Sequence, residues 1–335
     1  MATTGTTLGE LGEAAVLARV FPRLPPSTVT IVGPGDDAAV LSAPDGRYVV
    51  TTDMMIDGPD FRLAWSTPHD LGWKAAATNL ADVAAMGAVP TALVVAIAAP
   101  PSTDVALLEG IADGFRNACE ALAPGCGVVG GDLSSSPTLT IAVTAFGDLQ
   151  GRPAVVRSGA RPGDVVAVSG DLHLAARGLA LLFSRAVDDD GTPDAARAAA
   201  LRVEFPAEVD AQLAPRPPLA DGPAAALAGA TAMLDVSDGL AIDGRRIATA
   251  SGVRIDLDES VDARNETGES HALLATFPPD VLLPGGFRAI GRVVAGQGLS
   301  IDGVPYSGRG GWDPYSVDGA VDGAADGAAD GAAER

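Results

Sequence analysis

Four apolar runs, each closed by turn residues, mark the first half of the chain. STVTIVG, RYVVTTDMMI, TALVVAIAA and LTIAVTAFGDL are rich in Val, Ile and Thr and read as strands. Between the second and third runs the pattern becomes Ala-rich and helical. Thr67 can cap that helix, Pro68 fits its first turn, Asp70 suits its positive end and Gly87 can close it. STDVALLEGIADGFRNACEAL, residues 102–122, reads as the next helix.

A turn-rich stretch, RSGARPGD at 157–164, precedes a second series. It runs strand DVVAVSG, helix LHLAARGLALLFSRA, an Ala-rich helix near 221–229, strand ATAMLDVS, a helix from about 239, and strand VRIDLD. The repetition predicts two α/β halves, at 1–150 and 151–315. Residues 187–218, rich in Asp, Pro and Ala, read as a mobile insertion. The end, 316–335, repeats Asp-Gly-Ala-Ala and reads as a disordered tail.

At 335 residues the chain is long enough for one large or two ordinary domains. The formal net charge of −21 argues against a nucleic-acid backbone or an anionic membrane as partner. Lys74 is the only lysine, an arginine bias that fits GC-rich coding. Cys119 and Cys126 lack CxxC spacing and read as reduced thiols of a cytoplasmic protein. No segment reads as a signal peptide or a bilayer span.

Carboxylates punctuate the strand-like runs. Asp36 and Asp37 follow one; Asp53 lies in TTDMMID; Asp132 follows GVVGGD; Asp235 and Asp238 lie in MLDVSDGL. Taken singly, each is equally a turn carboxylate or a helix cap. Gathered at one edge, they would repel one another unless cations filled the pocket, and oxygen-only ligands point to Mg²⁺. Asp82 adds to the set from inside an Ala-rich helix, with Asn79 on the same side. GxxxxGK[ST], HExxH, GxSxG and a GxGxxG after a strand are all absent, and His69, His173 and His271 are scattered. Bound phosphates would therefore depend on metal ions, backbone amides and an arginine, with Arg157 the best placed.

GDDAAVL, TTDMMIDG, KAAATNLADVAAMGA, GGDLS, RSGARPGD and LDVSDGL occur in an order that resembles bacterial thiamine-monophosphate kinases, of the aminoimidazole-ribonucleotide-synthetase-like superfamily. The resemblance spans roughly residues 8–260. It implies a two-domain α/β (α+β) fold: an N-terminal mixed sheet with helices that dimerises, and a C-terminal α/β domain. It also implies transfer of the γ-phosphoryl of ATP to thiamine monophosphate, with several Mg²⁺ ions, as the final step to thiamine diphosphate. Asp36, Thr51, Thr52, Asp53, Asp82, Asp132, Asp235 and Asp238 would be the metal ligands. Gly131, Asp132, Arg157 and Ser237 would contact ATP. No general base is assigned, because the acceptor is already an ionised phosphate.

The departures fall on the acceptor side. Asp60 stands where the family usually carries His or Asn, the GGEDYEL-like segment reads TGESHAL with Glu269 kept and Ser270 in the next acidic position, and Trp312 of GGWDPY is the candidate aromatic wall for thiamine. They leave a second reading: an ATP- and Mg²⁺-binding homologue with lost or altered acceptor specificity.

Overall fold

The structure, a computed structural model, describes residues 6–33, 39–261, 268–308 and 310–312. The chain opens with α1 (Leu8–Leu11), α2 (Glu13–Val20) and the paired strands β1 (Thr30–Val32) and β2 (Val40–Leu41). There follow β3 (Val49–Ile56), α3 (Pro68–Ala85), β4 (Val89–Ala99), α4 (Val105–Leu122), β5 (Gly127–Ser135) and β6 (Thr140–Asp148). A four-stranded sheet, ordered β3-β6-β4-β5, results. The second half holds β7 (Val165–Ser169), α5 (Leu174–Arg185), α6 (Ala195–Glu204), α7 (Pro206–Leu213), α8 (Asp221–Leu227), β8 (Ala232–Val236) and α9 (Leu240–Ser251). It ends with β9 (Arg254–Leu257), β10 (Ala272–Phe277), β11 (Arg288–Val294), β12 (Gly298–Ile301) and β13 (Val304–Pro305). Its seven-stranded sheet is ordered β13-β12-β9-β11-β7-β10-β8. Two mixed sheets with helices bear out the two-part α/β expectation.

The position of α3 explains its composition. Thr67 and Asp70 close a capping box at its start, and Gly87, at φ +73°, follows its end. The helix packs against the first sheet, α4, α8 and the edge of the second sheet, so it has almost no solvent face. Close approach demands small residues. A Cβ at Gly72 would lie 1.9 Å from the Ile111 carbonyl oxygen, and one at Gly114 of α4 would lie 2.1 Å from that of His69. The Ala-rich stretch is therefore the seam between the two halves, rather than a surface helix.

Register assigns the faces of the first sheet. Thr51, Asp53 and Met55 pair with Ala145, Val143 and Ile141, all buried beneath α3 and α4. Thr52 and Met54 alternate onto the other face, where Val50 and Met54 are 59% and 58% exposed. Asp132 pairs with Ala96, which pairs with Ala142, so it shares the face of Met54. Asp53 and Asp132 both lie within strands, not beyond their ends.

The reading of 187–218 as a mobile insertion is corrected. α6 and α7 occupy it and build a small core with α5, in which Trp65, Leu182, Leu201, Val209 and Leu213 are buried. Arg202 of α6 forks onto the Asp70 carboxylate at 2.7 and 3.0 Å, and Trp73 Nε1 donates to the Pro215 carbonyl at 2.6 Å. The Asp and Pro content masked a sparse apolar pattern, Ala198 with Leu201 and Val209 with Leu213, at helical spacing. The expected tail lies outside the described residues, as do Asp36 and Asp37.

Candidate functional site

Thr51, Asp53, Asp82, Asp235 and Asp238 meet where the edge strand β3, the C-terminal half of α3 and the end of β8 converge. Thr51 Oγ1 donates to Asp82 Oδ2 at 2.9 Å. Asn79, buried in α3, accepts the Asp53 backbone N–H through Oδ1 at 3.1 Å and donates through Nδ2 to the Ala75 carbonyl at 2.9 Å. Asp235, at the buried end of β8, has Oδ2 3.2 Å from His271 Nδ1. The loop that carries Asp238 is shaped by buried Asp243, whose Oδ2 accepts the N–H groups of Asp238 and Gly239, both at 3.1 Å. Arg246 bridges Asp238 and Asp243, with 2.5 Å contacts to each.

Charge is crowded here. Burial, then the Asp235 and Asp53 carboxylates, push the Asp82 carboxyl up to about 7. Asp53 is also raised, by burial against a smaller opposing pull from His271 and with further repulsion from Asp235, Asp238 and Glu269. Burial lifts Asp243 to about 6 despite Arg246. Burial would lower His271, but Asp235 and Glu269 hold it above its ordinary value. Among the described residues, no three His, Cys, Asp or Glu side chains are arranged to hold a metal ion by themselves. The donors are hard carboxylate and hydroxyl oxygens with surplus negative charge. They fit Mg²⁺, which takes one or two carboxylates and completes its shell with water and substrate phosphate.

The remaining candidate residues divide. Ser237 is next to Asp238, and its carbonyl accepts the Glu269 N–H at 2.7 Å. Ser270 Oγ donates to the Val236 carbonyl at 3.0 Å. Trp312, 42% exposed, donates its backbone N–H to the Asp238 carbonyl at 2.8 Å, which ties its backbone to this loop. Asp60 Oδ2 accepts the Ile56 N–H at 2.7 Å and closes the turn after β3. These four lie at or beside the cluster.

Thr52, Gly131, Asp132 and Arg157 do not join it within one chain. Thr52 Oγ1 donates to the Val143 carbonyl at 2.9 Å, on the opposite face of the sheet. Gly131 and Asp132 lie on β5, three strands from β3 and hence about 14 Å away at the usual strand spacing. A Cβ at Gly131 would sit 1.9 Å from the Val95 carbonyl oxygen, which is why glycine occupies it. Ser134 Oγ donates to Asp132 Oδ2 at 2.7 Å. Arg157 is exposed near the start of β8, at the opposite end of that strand from Asp235.

Lys74, His271, Asp243 and Arg246 were not singled out from the sequence as site residues. Arg246 was recoverable, since it follows Asp243 by one helical turn. His271 was not, because its link to Asp235 depends on β8 pairing with β10.

The AIR synthase related protein N-terminal domain family matches residues 35–149, and its C-terminal domain family matches 161–283. The thiamine-monophosphate kinase of Mycobacterium tuberculosis H37Rv is 44% identical over 94% of this chain and 95% of its own. That of Corynebacterium glutamicum is 40% identical over 86% and 88%. The crystal structure of thiamine-monophosphate kinase from Stenotrophomonas maltophilia K279a is 29% identical, with a TM-score of 0.69 over 88% of this chain and 96% of that one. A structure of AaThiL complexed with AMPPCP and TMP gives 28% and 0.67, over 91% and 98%. By these matches across nearly its whole length, on a fold of the same two halves, the chain belongs to the thiamine-monophosphate kinase family.

Proposed function

We propose that this protein transfers the γ-phosphoryl group of ATP directly to the phosphate of thiamine monophosphate, giving thiamine diphosphate in the cytoplasm. The observation that carries the reading is the convergence of Asp53, Asp82 and Asp235 from three separate elements into one site, where burial and then the neighbouring carboxylates lift Asp82 to about 7. Such a site suits anionic substrates that arrive with cations. Family membership supports the choice of substrates.

Asp53, Asp82, Asp235 and Asp238 would hold Mg²⁺, which supplies charge neutralisation between the two phosphates when bound. The chain's own groups hold those carboxylates in place. Thr51 fixes Asp82, Asn79 fixes the backbone at Asp53, His271 fixes Asp235, and Arg246 with Asp243 fixes the Asp238 loop. In-line attack by an ionised acceptor phosphate needs alignment and no proton removal, so no side chain is assigned as a base. Trp312 and Ser270 border the acceptor side.

Asp132 and Gly131 enter the same scheme through a second copy. The open face of the first sheet carries exposed Val50 and Met54, a surface suited to burial in a homodimer. Because Asp132 shares that face, it would serve the partner's site. Arg157 and Ser237 would complete the ATP contacts.

The test is incubation of purified protein with ATP, MgCl₂ and thiamine monophosphate, followed by chromatography. Thiamine diphosphate is the expected product. ATP binding without product would sink the proposal in favour of a homologue with altered acceptor specificity, the reading that Asp60 and Ser270 favour.

A further inference from the structure

Lys74 is the only lysine of the chain, all other Lys and Arg positions being arginine. Among the described residues it is also the most buried basic group, at 5% exposure in the middle of α3. Its ammonium pairs with Glu269 Oε2. Gln212 of α7, with its amide turned so that the oxygen faces the lysine, accepts a bond from Nζ at 3.2 Å and donates to the Ala175 carbonyl at 3.2 Å. Three distant parts of the chain thus meet at one nitrogen.

The turn that supplies Glu269 is unusual in its backbone. Gly268, Glu269 and His271 have φ of +84°, +69° and +47°. For glutamate and histidine this is a strained conformation that surrounding contacts must maintain. Backbone bonds from Glu269 N to the Ser237 carbonyl (2.7 Å) and from His271 N to the Val236 carbonyl (2.8 Å) tie it to β8. A Cβ at Gly268 would stand 2.5 Å from the Ser237 carbonyl oxygen, so only glycine lets the turn pack this closely on the end of β8. On the α3 side, the Lys74–Glu269 pair is what holds it.

We propose that Lys74 and Glu269 form a positioning latch for the acceptor side: the pair fixes the 268–271 turn, and with it Ser270, against α3 and so sets the fit for thiamine monophosphate. This rests on the function proposed above. A compact ammonium on a linear stem suits a gap walled by a helix, a glutamine and a turn, whereas a planar guanidinium needs room for its fork. Asp60 lies in the same field, its carboxyl raised by burial and by Glu269 and lowered by Lys74. Lys74 is thereby the positive charge that offsets two carboxylates beside a site meant for a phosphate. Its burial keeps it off the substrate, so it acts through the turn.

Lys74→Arg and Glu269→Gln test the latch, with Glu269→Asp as the conservative variant. In the first two, KM for thiamine monophosphate is expected to rise by at least about tenfold, while KM for ATP and calorimetric ADP binding stay within about twofold. Glu269→Asp recovers part of the loss. Calorimetric titration of thiamine monophosphate reads the same weakening without turnover. If Lys74→Arg fails to fold, Glu269→Gln carries the same readouts. The latch is overturned if both substrates' constants move together, or if neither moves in a variant that melts like wild type. A wild type that binds thiamine monophosphate without turning it over fails the proposed function and leaves the latch to the titration. A wild type that does not bind it overturns both.

Discussion

Asn79 is the residue on which the alignment of Asp53 most depends, and replacing it separates hydrogen bonding from charge. Its side chain is 2% exposed and makes two bonds, to the Asp53 N–H and the Ala75 carbonyl. In Asn79→Ala the Ala75 carbonyl keeps its helical partner, but the Asp53 N–H, on an edge strand under α3, loses its acceptor. The bond is part-buried, so losing it costs about 1 kcal/mol. For a domain of this size that is a fall of roughly 2–4 °C in melting temperature. Asn79→Asp keeps the acceptor and adds a negative charge beside Asp53 and Asp82. At a separation on the order of 5 Å and an effective dielectric of about 20, each such repulsion is about 3 kcal/mol.

The two variants should therefore differ in their response to MgCl₂. Both melt below wild type in metal-free buffer, Asn79→Asp by more. Added MgCl₂ recovers more of the loss in Asn79→Asp, because a divalent cation screens the added repulsion and cannot replace a missing acceptor. Differential scanning fluorimetry over an MgCl₂ series reads both effects. Equal melting of the two variants at every MgCl₂ concentration would refute the claim that this pocket is charge-crowded.

Asp53→Ala and Asp132→Ala should each remove thiamine diphosphate formation while circular dichroism stays as in wild type. If Asp132 serves the partner's site, mixing the two inactive proteins under subunit exchange restores activity, to about a quarter of wild type at equal mixing; no recovery despite confirmed exchange would place Asp132 outside the site. Gly72→Ala drives a Cβ to 1.9 Å from the Ile111 carbonyl oxygen, and the forced separation of α3 from α4 costs about 1–3 kcal/mol or more, read in urea. Asp70 titrates the other way from Asp82: burial would raise it, but Arg202 and Thr67 bring it below its ordinary value. Its ionised form therefore stabilises the fold above the unfolded-state pKa, and that contribution fades as pH falls through the folded value. Asp70→Asn should accordingly lower stability at pH 7, by a margin that shrinks toward pH 3.

The elements that bear chemistry were legible where local pattern and tertiary role agree. Thr67, Asp70 and Gly87 bound α3 in the sequence because capping is a local property, and the β3, β4 and β6 runs show their β-branched residues. The small helices α6 and α7 were hidden because Asp- and Pro-rich turns flank them, while the few apolar residues that dock them, such as Leu201 and Val209, become meaningful only against Trp65 and Leu182. Convergence of Asp53, Asp82 and Asp235 was expected from the family resemblance, since charge and spacing left Asp53 and Asp235 each equally a turn carboxylate or a helix cap. The separation of Asp132 could not be expected, because it depends on strand order and on which face each residue of β5 presents. His271 and Lys74 were illegible for a similar reason: their partners lie 36 and 195 positions away in sequence.

The electrostatic design follows from what the chain lacks. With a net charge of −21 and one lysine, buried and already paired, the site has little fixed positive charge to offer two phosphorylated substrates. Arg246 is committed to Asp238 and Asp243. Under the proposed function, binding would be conditional: the pocket would repel a bare triphosphate and accept one that brings its own cations. Those carboxylates would then be the ligands of that cation, whose charge would offset the burial and repulsion that raise Asp82. A site of this kind would discriminate against unmetallated nucleotide without any dedicated residue. It also explains why the surrounding bonds, from Thr51, Asn79, His271 and Asp243, are spent on holding carboxylates still rather than on touching substrate.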